Sequence, residues 1–251
     1  MDLRSYLIIG CGHFGSQAIP KLLRKDPYSK IIVVDKNKKA LQKVSHLPVE
    51  TILCDSTLYL NSFLSGCAKT DYIIPAVPFH LAFEFILSQL KPLGAKRRKI
   101  PPLLGLPNPM KGKTGDLYTS FANFLCPENC PEPSSYCTMT GTRHQKSLYQ
   151  LLKDLSVPFE STHSTPRSEA RGMLRVDTER RFLPRFKNRG LAPSNVSKVI
   201  RSQQLEPGVG GFKVKVLLDM MADIKKRRSS NRLILISTAS RCHGVTSALS
   251  F

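Results

Sequence analysis

The sequence predicts an α/β fold built on a doubly wound parallel sheet, with a cysteine-rich insertion and a C-terminal helix–strand unit. Three observations carry this expectation. Short apolar runs alternate with amphipathic stretches over the first hundred residues. A glycine motif stands where the first run meets the first stretch, and an acidic residue closes the second run.

The elements follow in order. Residues 6–9, Tyr-Leu-Ile-Ile, read as a strand that ends at glycine, and residues 17–24 read as a helix that tolerates Pro20 in its first turns. Strands are expected at 31–34, 50–54 and 72–77, and helices at 37–44, 58–64 and 79–90. Continuous rather than alternating apolar strands indicate a parallel sheet covered on both faces. Beyond Leu93 the pattern loosens. Lys96 to Lys99 reads as a basic turn, 100–107 as a fifth strand weakened by its prolines, and 108–115 as a loop. Helices are expected at 117–125, at 145–155 and at 213–228, and a late strand at 232–238. Because that strand follows a helix, it is placed to rejoin the N-terminal sheet beyond the fifth strand. The resulting division is 1–107 for a dinucleotide-binding domain, 108–160 for a cysteine-rich metal-binding segment with a helix, 161–204 for a basic loop or linker, and 205–251 for the helix–strand unit.

Gly10-Cys-Gly12-His-Phe-Gly15 is a G-x-G-x-x-G motif between a predicted strand and a predicted helix, and Asp35 ends the second strand 20 residues after Gly15. That context makes it the fingerprint of an NAD-binding Rossmann unit. Gly10 permits the tight turn, Gly12 lets the backbone approach a pyrophosphate, and Gly15 lets helix and strand pack closely. The helix N-terminus offers free N–H groups and the positive end of its dipole to the phosphates. Asp35 is the expected acceptor for the ribose hydroxyls; its charge repels a 2′-phosphate and favours NAD over NADP, a preference weakened by Lys36, Lys38 and Lys39. His13 is read as loop filler near the pyrophosphate. His80, after the fourth strand, is a candidate proton donor or substrate contact, or simply a residue that starts a helix.

The segment Cys126-Pro-Glu-Asn-Cys130-Pro-Glu-Pro-Ser-Ser-Tyr-Cys137 has the spacing C-x3-C-x6-C. A proline-rich loop buries little, so a metal or cluster is expected to supply the missing cross-links. The fourth ligand is expected from Ser240-Arg-Cys242-His243, with Cys242 first and His243 second. An iron–sulfur cluster suits the irregular spacing and the Cys-Pro pairs, and zinc suits four thiolates. Cys11, Cys54 and Cys67 read as small apolar residues. Leu205-Glu-Pro-Gly208-Val-Gly210-Gly211 is either an anion-binding nest before a helix or a plain turn.

Residues 6–90 resemble the TrkA-N family, the NAD-binding half of regulators that gate potassium transport. The resemblance rests on Ile-Ile-Gly10-Cys-Gly12-His-Phe-Gly15, on Val-Val-Asp35-Lys-Asn-Lys and on Leu-Cys-Asp55-Ser-Thr. In that family the last motif is typically Gly-Asp-Ala-Thr with its Asp near the adenosine, which implies the same role for Asp55, although Cys54 replaces the glycine. The C-terminal ligand-sensing domain of those regulators is not recognisable here.

The chain has 251 residues, 41% hydrophobic and 22% charged, an ordinary globular composition that excludes wholesale disorder. No apolar run is long enough to span a bilayer, and the N-terminus lacks the pattern of a secretory signal, so a cytoplasmic location with reduced thiols is expected. There are 38 Lys+Arg against 18 Asp+Glu, a net charge of +20. The excess is densest over 161–204, which lacks the interleaved aromatics of a nucleic-acid-binding module, so a nucleic-acid partner is the lesser reading. The expected function is NAD(H) binding combined with a cysteine-ligated metal, in redox chemistry or in redox or nucleotide sensing, with a redox partner protein. The alternative, implied by the resemblance, is a non-catalytic regulatory subunit of an ion transporter holding structural zinc.

Overall fold

A computed structural model describes residues 4–65, 70–103, 105–133, 136–155, 196–228 and 232–251. Most of the basic stretch 161–204, and Cys67, lie outside the described residues. The N-terminal part runs β1 (Ser5–Ile9), α1 (His13–Lys25), β2 (Lys30–Asp35), α2 (Lys38–Gln42), β3 (Glu50–Leu53), α3 (Ser56–Ser65), β4 (Tyr72–Pro75) and α4 (Leu81–Leu90). Then follow β5 (Lys96–Arg98), β6 (Met110–Lys111), β7 (Leu117–Ser120), α5 (Leu148–Lys153), β8 (Val196–Arg201), β9 (Gln203–Glu206), β10 (Val209–Lys213), α6 (Val214–Lys226), β11 (Ile234–Ala239) and β12 (His243–Ser250).

Two sheets result. The first has the order β3-β2-β1-β4-β10-β9, and its first four strands are parallel. The 3-2-1-4 order is that of a dinucleotide-binding half-sheet. The second has the order β6-β7-β12-β11-β8, with β5 also paired to β12.

The central strands β1 and β2 bury both faces. Tyr6, Ile8, Ile31 and Val33 pack on Ala18, Ile19 and Leu22 of α1 and on Leu41 of α2. Leu7, Ile9, Ile32 and Val34 face Phe83, Phe85 and Ile86 of α4 and Leu217 of α6, which in turn meet Ile234, Ile236 and Leu249 of the second sheet. The helices α4 and α6 therefore form a layer between the sheets, and α5 covers the far side of the second one through Leu148, Leu152 and Ala239.

Several expectations are corrected. The late strand does not rejoin the first sheet: β11 pairs with β8 and β12. The place beside β4 belongs to β10, antiparallel, with Phe212 opposite Ile73. This approach needs a glycine, since a Cβ on Gly211 would lie 2.8 Å from Leu205 Cδ1 and 3.0 Å from the Ile73 carbonyl. The glycines that make β10 possible also disguise it as a turn.

The glycine-rich segment at 205–212 is accordingly the β9–β10 hairpin, whose Gly208 has φ +75°. Residues 117–125 are not a helix. Residues 117–120 form β7, held by pairing with β12, and Thr119 faces inward. The fifth strand lies just before the expected one, in the charged triplet β5, because β12 offers it backbone partners at residues 248–250.

Candidate functional site

The carboxyl ends of β1, β2 and β3 lie side by side, with Asp35 opposite Leu53 in the parallel register. Gly10 leaves β1 with φ +100°, donates its N–H to the Val34 carbonyl at 2.8 Å, and has no room for a side chain, since a Cβ would lie 2.4 Å from the Ala76 carbonyl. Gly12 is the N-cap of α1, and nothing stands within 4 Å of a Cβ built on it. Gly15 sits directly over Gly10, with its Cβ direction only 1.9 Å from the Gly10 carbonyl. Gly10 and Gly15 thus have no room for a side chain, whereas Gly12 has open space before it.

Asp35 lies beside this loop. Its Oδ2 accepts the Cys11 N–H at 2.6 Å and its Oδ1 accepts the Asn37 N–H at 2.7 Å. Each oxygen keeps a further lone pair for a hydroxyl donor. Asp55, at the end of β3, accepts the N–H groups of Thr57 and Leu58 at 2.9 and 3.1 Å through Oδ1, so it caps α3 while remaining exposed. Cys11 is buried as expected, and Cys54 is half-buried.

His80 is not open to a ligand. It is buried as the N-cap of α4, with Nδ1 2.8 Å from Ser247 Oγ and Nε2 2.9 Å from Thr238 Oγ1. Ser247 donates its hydroxyl to Asp116, so the His80 Nδ1–H donates to Ser247 and Nε2 accepts from Thr238. Burial lowers its pKa to about 3, against the weaker pull of Asp116. A neutral ring with both nitrogens occupied is a structural tie between α4 and the second sheet, which corrects its candidacy as a proton donor.

The cysteine loop docks on the glycine loop. Glu128, between Cys126 and Cys130, places Oε1 2.5 Å from His13 Nε2 and accepts from Gln17 Nε2 at 2.9 Å. His13 holds Glu128 below its ordinary carboxyl pKa, with help from Gln17. Lys21 reaches the carbonyls of Glu128 and Pro207 at 3.2 and 2.8 Å. Gly208 closes the contact: its N–H meets the Cys130 carbonyl at 3.1 Å, and a Cβ there would lie 1.6 Å from the Glu128 carbonyl. His13 is therefore no filler; it ties the two loops together.

The other end of the cysteine loop docks on the β11–β12 turn. Glu132 Oε1 accepts the N–H groups of Arg241 and Cys242 at 2.9 and 3.1 Å and the Ser240 hydroxyl. Glu132 takes φ +45° to do so, an uncommon conformation for a residue with a side chain. The Phe121 N–H meets the Cys242 carbonyl at 3.0 Å.

Cys126, Cys130, Cys137 and Cys242 are free thiols, and Cys126 and Cys242 each feel the charge of Cys130 and Cys137. Burial pushes the Cys242 thiol up to about 11, with Glu132, Cys130 and Cys137 adding to it. Burial also raises Cys126, again with Cys130 and Cys137 contributing. Cys137 goes the other way, because its sulfur accepts hydrogen bonds from the Thr140 hydroxyl and the N–H groups of Met139 and Thr140. His243 starts β12, with Nδ1 3.0 Å from Ser120 Oγ. Among the described residues no three His, Cys, Asp or Glu side chains converge closely enough to hold a metal ion as they stand. Sequence reasoning missed both glutamates. The signal was present as the repeat Cys126-Pro-Glu128 and Cys130-Pro-Glu132, whose two carboxylates grip opposite neighbours.

Comparison with known proteins bears on both halves. Residues 6–86 match the family model of the saccharopine dehydrogenase NADP binding domain, which supports an N-terminal Rossmann NAD(P)-binding domain and not TrkA-N in particular. A protein of Archaeoglobus fulgidus described as "Uncharacterized protein" is 23% identical over 257 residues, covering 97% of this chain and 98% of its own length. No solved structure matches. Residues 82–177 and 177–251 match the family model described as "Uncharacterized protein, C-terminal domain", and across that majority of its length the chain belongs to this family.

Proposed function

We propose that the chain is an NAD(H)-binding protein that acts in redox chemistry or redox sensing, with the dinucleotide pyrophosphate over Gly12 and the adenosine ribose on Asp35. The observation that carries this reading is the open approach to Gly12 at the N-terminus of α1, flanked by two glycines whose Cβ positions are blocked. The first-turn N–H groups of that helix have no intrahelical acceptor and suit a phosphate. Asp35 remains able to accept ribose hydroxyls, and its charge disfavours a 2′-phosphate, so NAD is preferred over NADP. The adenosine lies toward Asp55, whose second carboxylate oxygen is left for it by the helix cap. Isothermal titration of NADH and NADPH into the purified chain tests this. NADH should bind, and Asp35→Ser should lower the NADH to NADPH affinity ratio. No binding of either dinucleotide, or an unchanged ratio in a folded variant, contradicts the respective claim.

The cysteine loop supplies the second half of the reading: Cys126, Cys130 and Cys137, with Cys242 as fourth ligand and His243 as its substitute, hold an iron–sulfur cluster or zinc. Support comes from the common neighbourhood of the thiols and from the three hydrogen bonds that favour a Cys137 thiolate. The side chains would have to turn inward to close on the ion. A cluster would supply one-electron chemistry beside the dinucleotide, and zinc would cross-link the loop. Metal analysis and visible absorption of anaerobically purified protein distinguish the two. Cys242→Ser should lower the metal content; retained stoichiometry in both Cys242→Ser and His243→Ala removes the C-terminal ligand from the site.

A further inference from the structure

The glycine loop and the cysteine loop meet at a side-chain contact that neither the dinucleotide nor a metal requires. Glu128 lies between Cys126 and Cys130, and its carboxylate spans His13 and Gln17, one turn apart at the start of α1. His13 is the first residue of the helix whose open N-terminus faces the Gly12 approach. The backbone beside Glu128 is fixed as well, by Lys21 on the Glu128 carbonyl and by Gly208 and Gln204 Nε2 on the Cys130 carbonyl at 3.1 and 2.6 Å. On the far side Glu132 carries the same loop to the turn that holds Cys242. His13 and Gln17 thus join the start of α1 to Glu128, which lies two residues from each of Cys126 and Cys130.

We propose that the Cys126–Cys137 loop is coupled to dinucleotide occupancy through Glu128, so that binding at the glycine loop slows the chemistry of the Cys126 and Cys130 thiols. The inference rests on the dinucleotide reading above. The physical basis is ordering. A bound pyrophosphate fixes the first turn of α1 and with it the His13 and Gln17 side chains. The loop then opens less often, and a thiol that reacts only from the open loop reacts more slowly. Linkage makes the coupling reciprocal at equilibrium: the dinucleotide binds the closed loop more tightly than the open one.

The test uses the full chain, reduced and stripped of metal. Alkylation of each cysteine by iodoacetamide is followed by mass spectrometry with and without NADH, while calorimetry in the same buffer reports occupancy. Saturating NADH should slow Cys126 and Cys130 by at least about fivefold, with a free low-molecular-weight thiol in the same solution as the reference for reagent activity. In Glu128→Ala the two thiols should react at one rate with or without NADH. Glu128→Gln, which keeps the shape of the side chain and an acceptor oxygen, should retain part of the effect. NADH bound with unchanged thiol rates overturns the coupling and leaves the dinucleotide reading intact. Undiminished protection in Glu128→Ala overturns the route through this residue, and no NADH binding overturns both readings.

Discussion

At the scale of single residues the three glycines are not interchangeable. Gly12 has open space around it, so Gly12→Val should fold normally and lose at least about tenfold in NADH affinity, because a steric block costs more than the 1.4 kcal/mol that tenfold represents. Wild-type calorimetric affinity in that variant would mean that no ligand approaches there. Gly15→Ala should do the reverse of this, harming the fold first, since its Cβ would collide with the Gly10 carbonyl. Overpacking of this kind costs about 1–3 kcal/mol, which urea denaturation should resolve. The sequence made these roles legible because the motif encodes backbone geometry, which travels with the spacing. It could not do the same for His80. A histidine after a parallel strand reads alike whether it faces a cleft or a second sheet, and here β11 and β12, more than 150 residues away, decide the matter by placing Thr238 and Ser247 on its two nitrogens.

At the scale of elements the cysteine loop depends on its two Cys-Pro-Glu anchors. Glu132 accepts two backbone N–H groups and a hydroxyl from the β11–β12 turn, and it holds a left-handed backbone in doing so. Hydrogen bonds to a charged group are worth about 1.5–3 kcal/mol, so Glu132→Ala should destabilise the chain by about 2 kcal/mol in urea and speed alkylation of Cys242. An unchanged midpoint would mean that the turn holds itself. The first-sheet strands β1, β2 and β4 were readable because their apolar runs are buried, and β3, largely exposed at the sheet edge, because it keeps the β-branched Thr51 and Ile52. The strands β5, β7 and β10 were not, because Lys-Arg-Arg, Leu-Tyr-Thr-Ser and Val-Gly-Gly-Phe become strands only when β12 or β4 supplies the ladder.

At the scale of the whole molecule, α4 and α6 lie between the two sheets, and a polar chain joins α4 to the second one. Arg97 pairs with Asp116 at 2.9 Å and with Glu84 of α4, stacks its guanidinium 4.4 Å above the Phe83 ring, and Asp116 in turn takes the Ser247 hydroxyl next to His80. Burial opposes the Asp116 charge, but hydrogen bonds from Ser247, Thr114 and Arg97 prevail and keep its pKa below the ordinary value. Breaking a buried pair costs about 3–5 kcal/mol, and Asp116→Ala should show a loss of that order in thermal or urea unfolding; a loss under about 1 kcal/mol would mean that the pair behaves as a surface one.

His80 adds a pH dependence to this layer. Its folded pKa, about 3, lies below the 6.5 of the free group. Between those values the unfolded chain binds a proton that the folded chain refuses, so stability falls as pH drops below about 6.5, by up to about 1.4 kcal/mol per unit. Asp116 loses its own contribution only in the more acidic range below its ordinary pKa. Urea midpoints from pH 7 to pH 5 therefore report His80 together with His243, whose pKa desolvation lowers as well, so His80→Gln should reduce the slope and leave the His243 share. Amide hydrogen exchange with and without NADH reads directly where a dinucleotide lies. The expected result is protection at residues 10–16 and 35–37, followed by weaker protection at 126–130. Binding accompanied by protection elsewhere, with the 10–16 amides exchanging as they do in the free chain, would contradict it.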